Sequence, residues 1–104
     1  MTIVITSTIL KNKRASIKAM QNFFIRESTK ANVSKETMDD FSESCANLIG
    51  TIDNLNEAIS RIQTLEGGNH EEIKKTEKEI ESTFMNVQNI QDKLSSAMFE
   101  ELKK

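Results

Sequence analysis

The side chains suited to acid–base chemistry or metal binding are few and poorly grouped. His70 is the only histidine and has no second ligand at a helical spacing, which favours a surface residue at a helix start over a base or a metal ligand. Neighbouring side chains on a helix diverge by about 100°, so two adjacent carboxylates do not converge on one reacting atom. The adjacent acidic pairs are Asp39-Asp40, Glu71-Glu72 and Glu100-Glu101. We therefore expect no catalytic residue, no metal site and no cofactor.

The single cysteine, Cys45, is the only strong nucleophile in the chain. A reactive thiol needs an exposed and electropositive setting, whereas Asp39, Asp40 and Glu43 lie close to Cys45 in the sequence. Cys45 also falls within the apolar pattern described below, so we expect a small buried hydrophobic residue. A single cysteine leaves no internal disulfide and no cysteine-based metal cluster.

Motif and composition together argue against an enzyme. The sequence lacks the glycine-rich loops of nucleotide-binding proteins, the nucleophile elbow of hydrolases and the EF-hand calcium loop. The 104 residues contain no proline, no tryptophan and no tyrosine, and 29% of them are charged, which is typical of long helices. With 37% hydrophobic residues, a narrow apolar seam is expected rather than a large core.

Apolar residues recur at alternating spacings of three and four, the heptad pattern of helices that pack side by side. The pattern pauses at Gly67-Gly68, where Gly67 suits a helix C-cap, and Asn69 with Glu72 can form a capping box for the next helix. Two long helices joined by so short a turn are expected to pack antiparallel. The seam positions are Met38, Phe41, Cys45, Leu48, Ile52, Leu55, Ile59 and Ile62, then Ile73, Thr76, Ile80, Thr83, Val87, Ile90, Leu94 and Ala97.

A shorter helix precedes this hairpin. Ser7 or Thr8 can cap its start, residues 29–33 form a break, and Ser34 can cap the next helix. We therefore predict an all-α fold: a long antiparallel helical hairpin, coiled-coil-like, with a shorter N-terminal helix. Residues 1–104 are expected to form a single helical domain, with helices at about 8–28, 34–66 and 69–103.

Charge is unevenly distributed along the chain. Residues 1–34 hold six basic residues and one acidic residue, a balance of +5, whereas residues 35–66 hold two basic and seven acidic residues, a balance of −5. The preferred interpretation is a basic first helix that balances the acidic second one, with pairing to another chain as the alternative. Binding of the basic face to nucleic acid or to a membrane surface is a third possibility, which predicts steep salt dependence through residues 11–30. Nucleic acid is not an expected partner, because the basic stretch lacks interleaved aromatic residues.

No segment approaches the roughly 18 apolar residues of a membrane span. Residues 3–10 are apolar, but their basic cluster follows them, which is the wrong order for a secretory signal. We expect a cytoplasmic protein, or one exported without a cleaved signal peptide.

Several large apolar residues lie outside the strict seam, and two helices alone bury only one stripe. Either the first helix folds across the hairpin or these residues meet another polypeptide, and we expect both in part. Gly50 is either a tolerated surface defect or a point of close helix approach. The predicted partner-binding surface is the apolar, methionine-rich outer edge, formed by Met20, Phe23, Phe24, Ile49, Phe84, Met85, Met98 and Phe99.

The length, the opening Ile3-Val4-Ile5, the glycine-marked hairpin and the lack of a catalytic set resemble the small WXG-like helical-hairpin proteins of type VII secretion. The chain looks closest to the helical targeting partners of LXG toxins. The resemblance implies a chaperone-like targeting factor that forms a hetero-oligomer with the helical N-terminal domain of a toxin, or with a second small helical protein.

The chain departs from that family pattern in two ways. It has no Trp-x-Gly turn, and it lacks the C-terminal aromatic followed four residues later by an acid, since Gln88 follows Phe84 and Lys103 follows Phe99. No site residue is carried over from the family. The alternative function is a structural coiled-coil subunit or homodimer without an export role.

Overall fold

The computed structural model describes residues 5–64 and 70–104. Within them the chain forms three helices, α1 (Ser7–Ala31), α2 (Lys35–Thr64) and α3 (His70–Lys103), and no strand. The all-α prediction is confirmed. The bundle is elongated, with principal extents of 55 × 23 × 19 Å. The predicted caps at Gly67 and Asn69, and the predicted turn between α2 and α3, lie outside the described residues.

Side-chain hydroxyls cap the starts of α1 and α2. Thr6 has an extended backbone (φ −107°, ψ 164°), and its Oγ1 accepts a hydrogen bond at 3.2 Å from the backbone N–H three residues on. The predicted caps at Ser7 or Thr8 are therefore wrong, because both residues already lie within the helix. Ser34 caps α2 as predicted, with its Oγ accepting from the backbone N–H three residues on at 3.1 Å.

The end of α1 lies beyond the predicted boundary near residue 28. The helix continues to Ala31, and Asn32 then adopts the left-handed conformation (φ 66°, ψ 31°). The backbone N–H of Asn32 donates to the carbonyl oxygen of Ser28 and closes the last turn. Asparagine is one of the few residues that tolerate this conformation, so the break is confined to the residues between Ala31 and Lys35.

The first helix packs against the second in the opposite direction. Arg14 Nε lies 3.0 Å from Asp53 Oδ1, and the rings of Phe24 and Phe41 meet edge to face with centroids 4.9 Å apart. Residue numbers on α2 thus fall as those on α1 rise. This interface is the most extensive of the three in the bundle.

The first and third helices run in the same direction. Lys13 Nζ donates to Gln91 Oε1 at 3.0 Å, and further along both helices the Phe23 ring contacts the Phe99 ring. The two registers together require α2 and α3 to run in opposite directions. The first helix is therefore docked on both of the longer ones, which makes the fold a three-helix bundle.

The core follows the predicted seam of α2 closely. All eight seam residues of α2 are buried or packed against the core, and Cys45 is fully buried, as predicted. The buried apolar residues are Leu10, Ile17 and Phe24 on α1, Cys45, Leu48, Ile52, Leu55 and Ile59 on α2, and Ile80, Val87 and Met98 on α3.

The predicted seam of α3 is wrong at two positions. Ile90 is 46% exposed and Ala97 is exposed, whereas Gln91 and Met98 are buried in their place. A straight α-helix drifts by about 20° per heptad relative to a strict seven-residue repeat. Over two heptads from Ile80, this drift carries the Ile90 and Ala97 positions away from the core and carries the next positions into it.

Candidate partner-binding site

An apolar groove lies between the second half of α1 and the last turns of α3. We call it the α1–α3 groove. About 210 Å³ of space lies between its walls, and this volume includes open solvent. The lining residues are Met20, Phe23, Phe24, Ser95, Met98, Phe99 and Leu102.

Two doublets of large apolar residues build this groove. Adjacent residues on a helix point about 100° apart, so only one member of each doublet can face the core. Phe24 and Met98 are buried, with 1% and 3% of their surface exposed, and they form the floor. Phe23 and Phe99 stand on the rim, 39% and 53% exposed.

Contacts around the groove hold its aromatic side chains in place. The rings of Phe23 and Phe99 lie with their centroids 6.4 Å apart and their planes inclined by 50°. The guanidinium of Arg26 lies 5.7 Å from the centroid of the Phe23 ring. Beneath them, the edge-to-face contact of Phe24 with Phe41 ties the floor to α2. The described chain therefore forms the groove by itself.

Five of the eight predicted partner-binding residues meet at this groove: Met20, Phe23, Phe24, Met98 and Phe99. The prediction that all eight lie on an outer edge needs correction, because Phe24 and Met98 fill the core.

The other three predicted residues do not line the groove. Ile49 and Phe84 are half-buried and pack against the core, and Met85 is 49% exposed on α3. The eight residues therefore do not all meet at the groove.

A polar cluster closes the other half of the contact between α1 and α3. Gln91, only 9% exposed, accepts a hydrogen bond from Lys13 Nζ and donates one from Nε2 to Ser16 Oγ at 3.1 Å. Lys13 Nζ also donates to Gln88 Oε1 and lies 5.7 Å from the centroid of the Phe84 ring. The interface is thus hydrogen-bonded in one half and apolar and open in the other.

Sequence reasoning missed this cluster. The heptad pattern assigned Ile90 to the seam and gave no role to the glutamine beside it. A signal was available in the spacing of four residues from Val87 through Gln91 to Ser95, a row that drifts away from the strict heptad. In the structure, Gln91 bonds Ser16 on α1 and Ser95 lines the groove.

The described residues include few candidates for a metal site or a reactive nucleophile. They contain no group of three or more His, Cys, Asp or Glu side chains placed to hold a metal ion. Burial raises the pKa of the Cys45 thiol and so disfavours the reactive thiolate. Nor is any helix in the described ranges both long enough and apolar enough to cross a membrane.

The chain matches no protein-family model, no curated protein and no solved structure.

Proposed function

We propose that this chain is a non-enzymatic binding protein that receives a helix of a partner protein in the α1–α3 groove. The observation that supports this most directly is the exposure of Phe23 and Phe99, whose neighbours Phe24 and Met98 already fill the core. Burying one large apolar side chain contributes about 1.5–3 kcal/mol. Two exposed rings that flank one apolar groove therefore favour association with another apolar surface.

The form of the groove suits a helix. An amphipathic helix binds a groove through apolar anchors spaced i, i+3 or i+4, and i+7. Helices α1 and α3 run in the same direction and form the two walls of the groove, and the lining also includes Met20 and Leu102. Because the contact between Phe24 and Phe41 holds the floor of the groove, few side chains of this chain need to become ordered when the partner binds.

We further propose that the chain binds its partner in the cytoplasm and targets it for type VII export. Export would then proceed without a cleaved signal peptide. The chain would pair with the helical N-terminal domain of a toxin or with a second small helical protein, giving a hetero-oligomer. It would shield the apolar stripe of its partner and present a joint surface to the export machinery. This part of the proposal is supported by the sequence resemblance.

Co-purification with the helical protein encoded by a neighbouring gene tests the proposal. The double variant Phe23→Ser/Phe99→Ser is expected to lose the complex and to keep its helical circular dichroism, because both side chains are already exposed. The control is Met85→Ser, which removes an equally exposed side chain outside the groove and should retain the complex. A complex that survives the double phenylalanine change would contradict the proposal.

A homodimer is the alternative that the same exposed rings support. Light scattering on the purified chain separates the two functions. A monomer that forms a complex only with a helical partner fits the proposal. A stable homodimer that Phe23→Ser/Phe99→Ser converts to monomer would favour a structural coiled-coil subunit.

A further inference from the structure

Three cations on the outer face of α1 have no carboxylate partner within residues 5–64 and 70–104. They are Lys11, Lys18 and Arg26, and all three are exposed. The remaining cations of α1 are engaged inside the chain, such as Arg14 with Asp53 and Lys30 with Glu27. Within the described ranges, then, α2 neutralises only a small part of the basic charge on α1.

The unpaired cations form a regular surface along α1. Lys11 begins a ridge of residues spaced by four that ends at Phe23, and Lys18 begins the neighbouring ridge, which contains Arg26. Between them the ridges carry short side chains, Ala15, Ala19 and Asn22, all of them exposed. From Lys11 to Arg26 the surface is about 22 Å long at ~1.5 Å per residue. A helix can approach it closely along its whole length.

This basic surface continues into the α1–α3 groove. Arg26 packs over the Phe23 ring, and Phe23 in turn contacts Phe99 across the groove. Rows of residues spaced by four are inclined by about 26° to a helix axis, so the two ridges lead diagonally over α1 from Lys11 and Lys18 toward Phe23 and Arg26. A single helix can therefore reach from Lys11 and Lys18 at one end to the aromatic rim at the other.

We propose that the partner helix is acidic along the side that faces α1, and that its carboxylates pair with Lys11, Lys18 and Arg26 while its apolar residues enter the groove. This inference rests on the proposed function and adds the chemistry of the partner. The recognised ligand is an amphipathic, acidic helix of another protein. Carboxylates repeating every seven to eight residues would match the spacing of the three cations.

The charge of the rest of the chain favours a helix over a polyanion. Residues 35–66 carry a balance of −5, and Asp39, Asp40 and Glu43 on α2 are exposed. A long nucleic acid or an anionic bilayer would face these carboxylates as well, whereas one helix on α1 avoids them. The basic surface also lacks the interleaved aromatic rings that stack on unpaired bases.

Two synthetic helical peptides of about 21 residues test the inference. Both carry leucine at i, i+3 or i+4, and i+7, and they differ only in having glutamate or glutamine along one flank. Their dissociation constants for the full chain are measured by fluorescence anisotropy. The protein variants are Lys11→Gln/Lys18→Gln/Arg26→Gln and, as a control with the same change in charge, Lys74→Gln/Lys75→Gln/Lys78→Gln on the exposed side of α3.

The glutamate peptide is expected to bind the unchanged chain about tenfold more tightly than the glutamine peptide, since three exposed ion pairs each contribute modestly. The α1 triple variant should lose this preference, and the α3 control should keep it. Raising sodium chloride from about 50 mM to about 500 mM should remove most of the difference.

Equal binding of the two peptides, or a preference that survives the α1 triple change, would overturn the acidic assignment. The proposed function would still stand if Phe23→Ser/Phe99→Ser abolished binding of both peptides, so the two failures are distinguishable. Binding of neither peptide to the unchanged chain would overturn both. Tighter binding to a single-stranded oligonucleotide, or to phosphatidylglycerol vesicles, would show that the ligand of the basic surface is a polyanion and not a helix. A dimer of this chain that the α1 triple change dissociates would show that the ligand is a second copy of the chain.

Discussion

The rings of Phe23 and Phe99 meet across two helices with their centroids 6.4 Å apart, yet 39% of Phe23 and 53% of Phe99 remain exposed. Aromatic pairs at such distances contribute about 0.5–1.5 kcal/mol beyond the area they bury, so each ring helps to hold the other in position. The pair joins α1 to α3 at the point where their interface opens. A third apolar side chain packed against the exposed faces of both rings would complete a small hydrophobic cluster.

The difference in burial between Met98 and Met85 on α3 gives the first prediction. Met98 forms part of the groove floor and is 3% exposed, whereas Met85 on the same helix is largely solvated. Met98→Ala should lower the free energy of unfolding by about 2–5 kcal/mol, through lost burial and a residual cavity. Met85→Ala is the control and should change it by less than about 0.5 kcal/mol. Urea unfolding followed by circular dichroism measures both, and similar losses would contradict the burial assigned to Met98.

The hydrogen bond between Lys13 and Gln91 predicts coupling between the two positions. Lys13→Met removes a charged donor from a nearly buried acceptor and should cost about 1 kcal/mol. The same change should cost less in a Gln91→Leu background, with a coupling of at least about 0.5 kcal/mol in a double-mutant cycle. Lys18→Met is the control, because Lys18 is exposed and, within residues 5–64 and 70–104, its one hydrogen bond is to Gln21. Additivity of Lys13→Met and Gln91→Leu within about 0.3 kcal/mol would count against a coupled polar cluster.

Cys45 predicts a specific dependence of stability on pH. Burial raises the pKa of its thiol in the folded chain, whereas the unfolded chain has the ordinary value of about 8.5. Below that pH both states are protonated and the contribution to stability is fully present. As the pH rises above about 8.5 the unfolded state ionises first, so the free energy of unfolding falls by up to about 1.4 kcal/mol per pH unit.

Urea titrations between pH 7 and pH 10, with Cys45→Ala as the reference, isolate this contribution. The quantity to compare is the slope of the unfolding free energy against pH in the two proteins. The absolute free energies differ in any case, because the alanine variant also loses core volume. Parallel pH profiles would show that the thiol titrates alike in the folded and unfolded chains.

Gly50 predicts a stabilising substitution. It lies inside α2, is exposed, and a Cβ built on it would meet nothing within 4 Å. No helix in the described part of the chain therefore packs closely on it. Gly50→Ala should raise the free energy of unfolding by about 0.5–1 kcal/mol, and the reverse change Ala46→Gly on the same exposed side of α2 should lower it similarly. A loss of stability in Gly50→Ala would reveal a close approach to this glycine.

Sequence periodicity predicted the buried residues correctly where a helix packs through a single apolar stripe. The seam of α2 is such a case, from Met38 to Ile62, because α2 meets both neighbours through a single apolar stripe. On α3 the strict heptad failed at Ile90 and Ala97. The buried stripe there follows the natural 3.6-residue turn and is divided between α1 and α2.

The candidate site was only half predictable for a related reason. On α1, helical spacing leads from Leu10 and Ile17 to Phe24, and it leaves Phe23 beside the apolar face. On α3, the heptad passes through Ala97 and assigns neither Met98 nor Phe99 to the core. The burial of Met98 rather than Phe99 depends on how α3 rotates as it packs on the other two helices. The Lys13–Gln91 pair depends on the same rotation.

A nuclear magnetic resonance titration of the labelled 104-residue chain with the glutamate peptide tests the central claim most directly. Binding in the groove predicts the largest shifts at residues 20–26 and 95–102, smaller shifts along the outer face of α1 from Lys11, and little change between Leu48 and Ile59 on α2. Shifts concentrated on α2, or spread evenly over all three helices, would contradict the account.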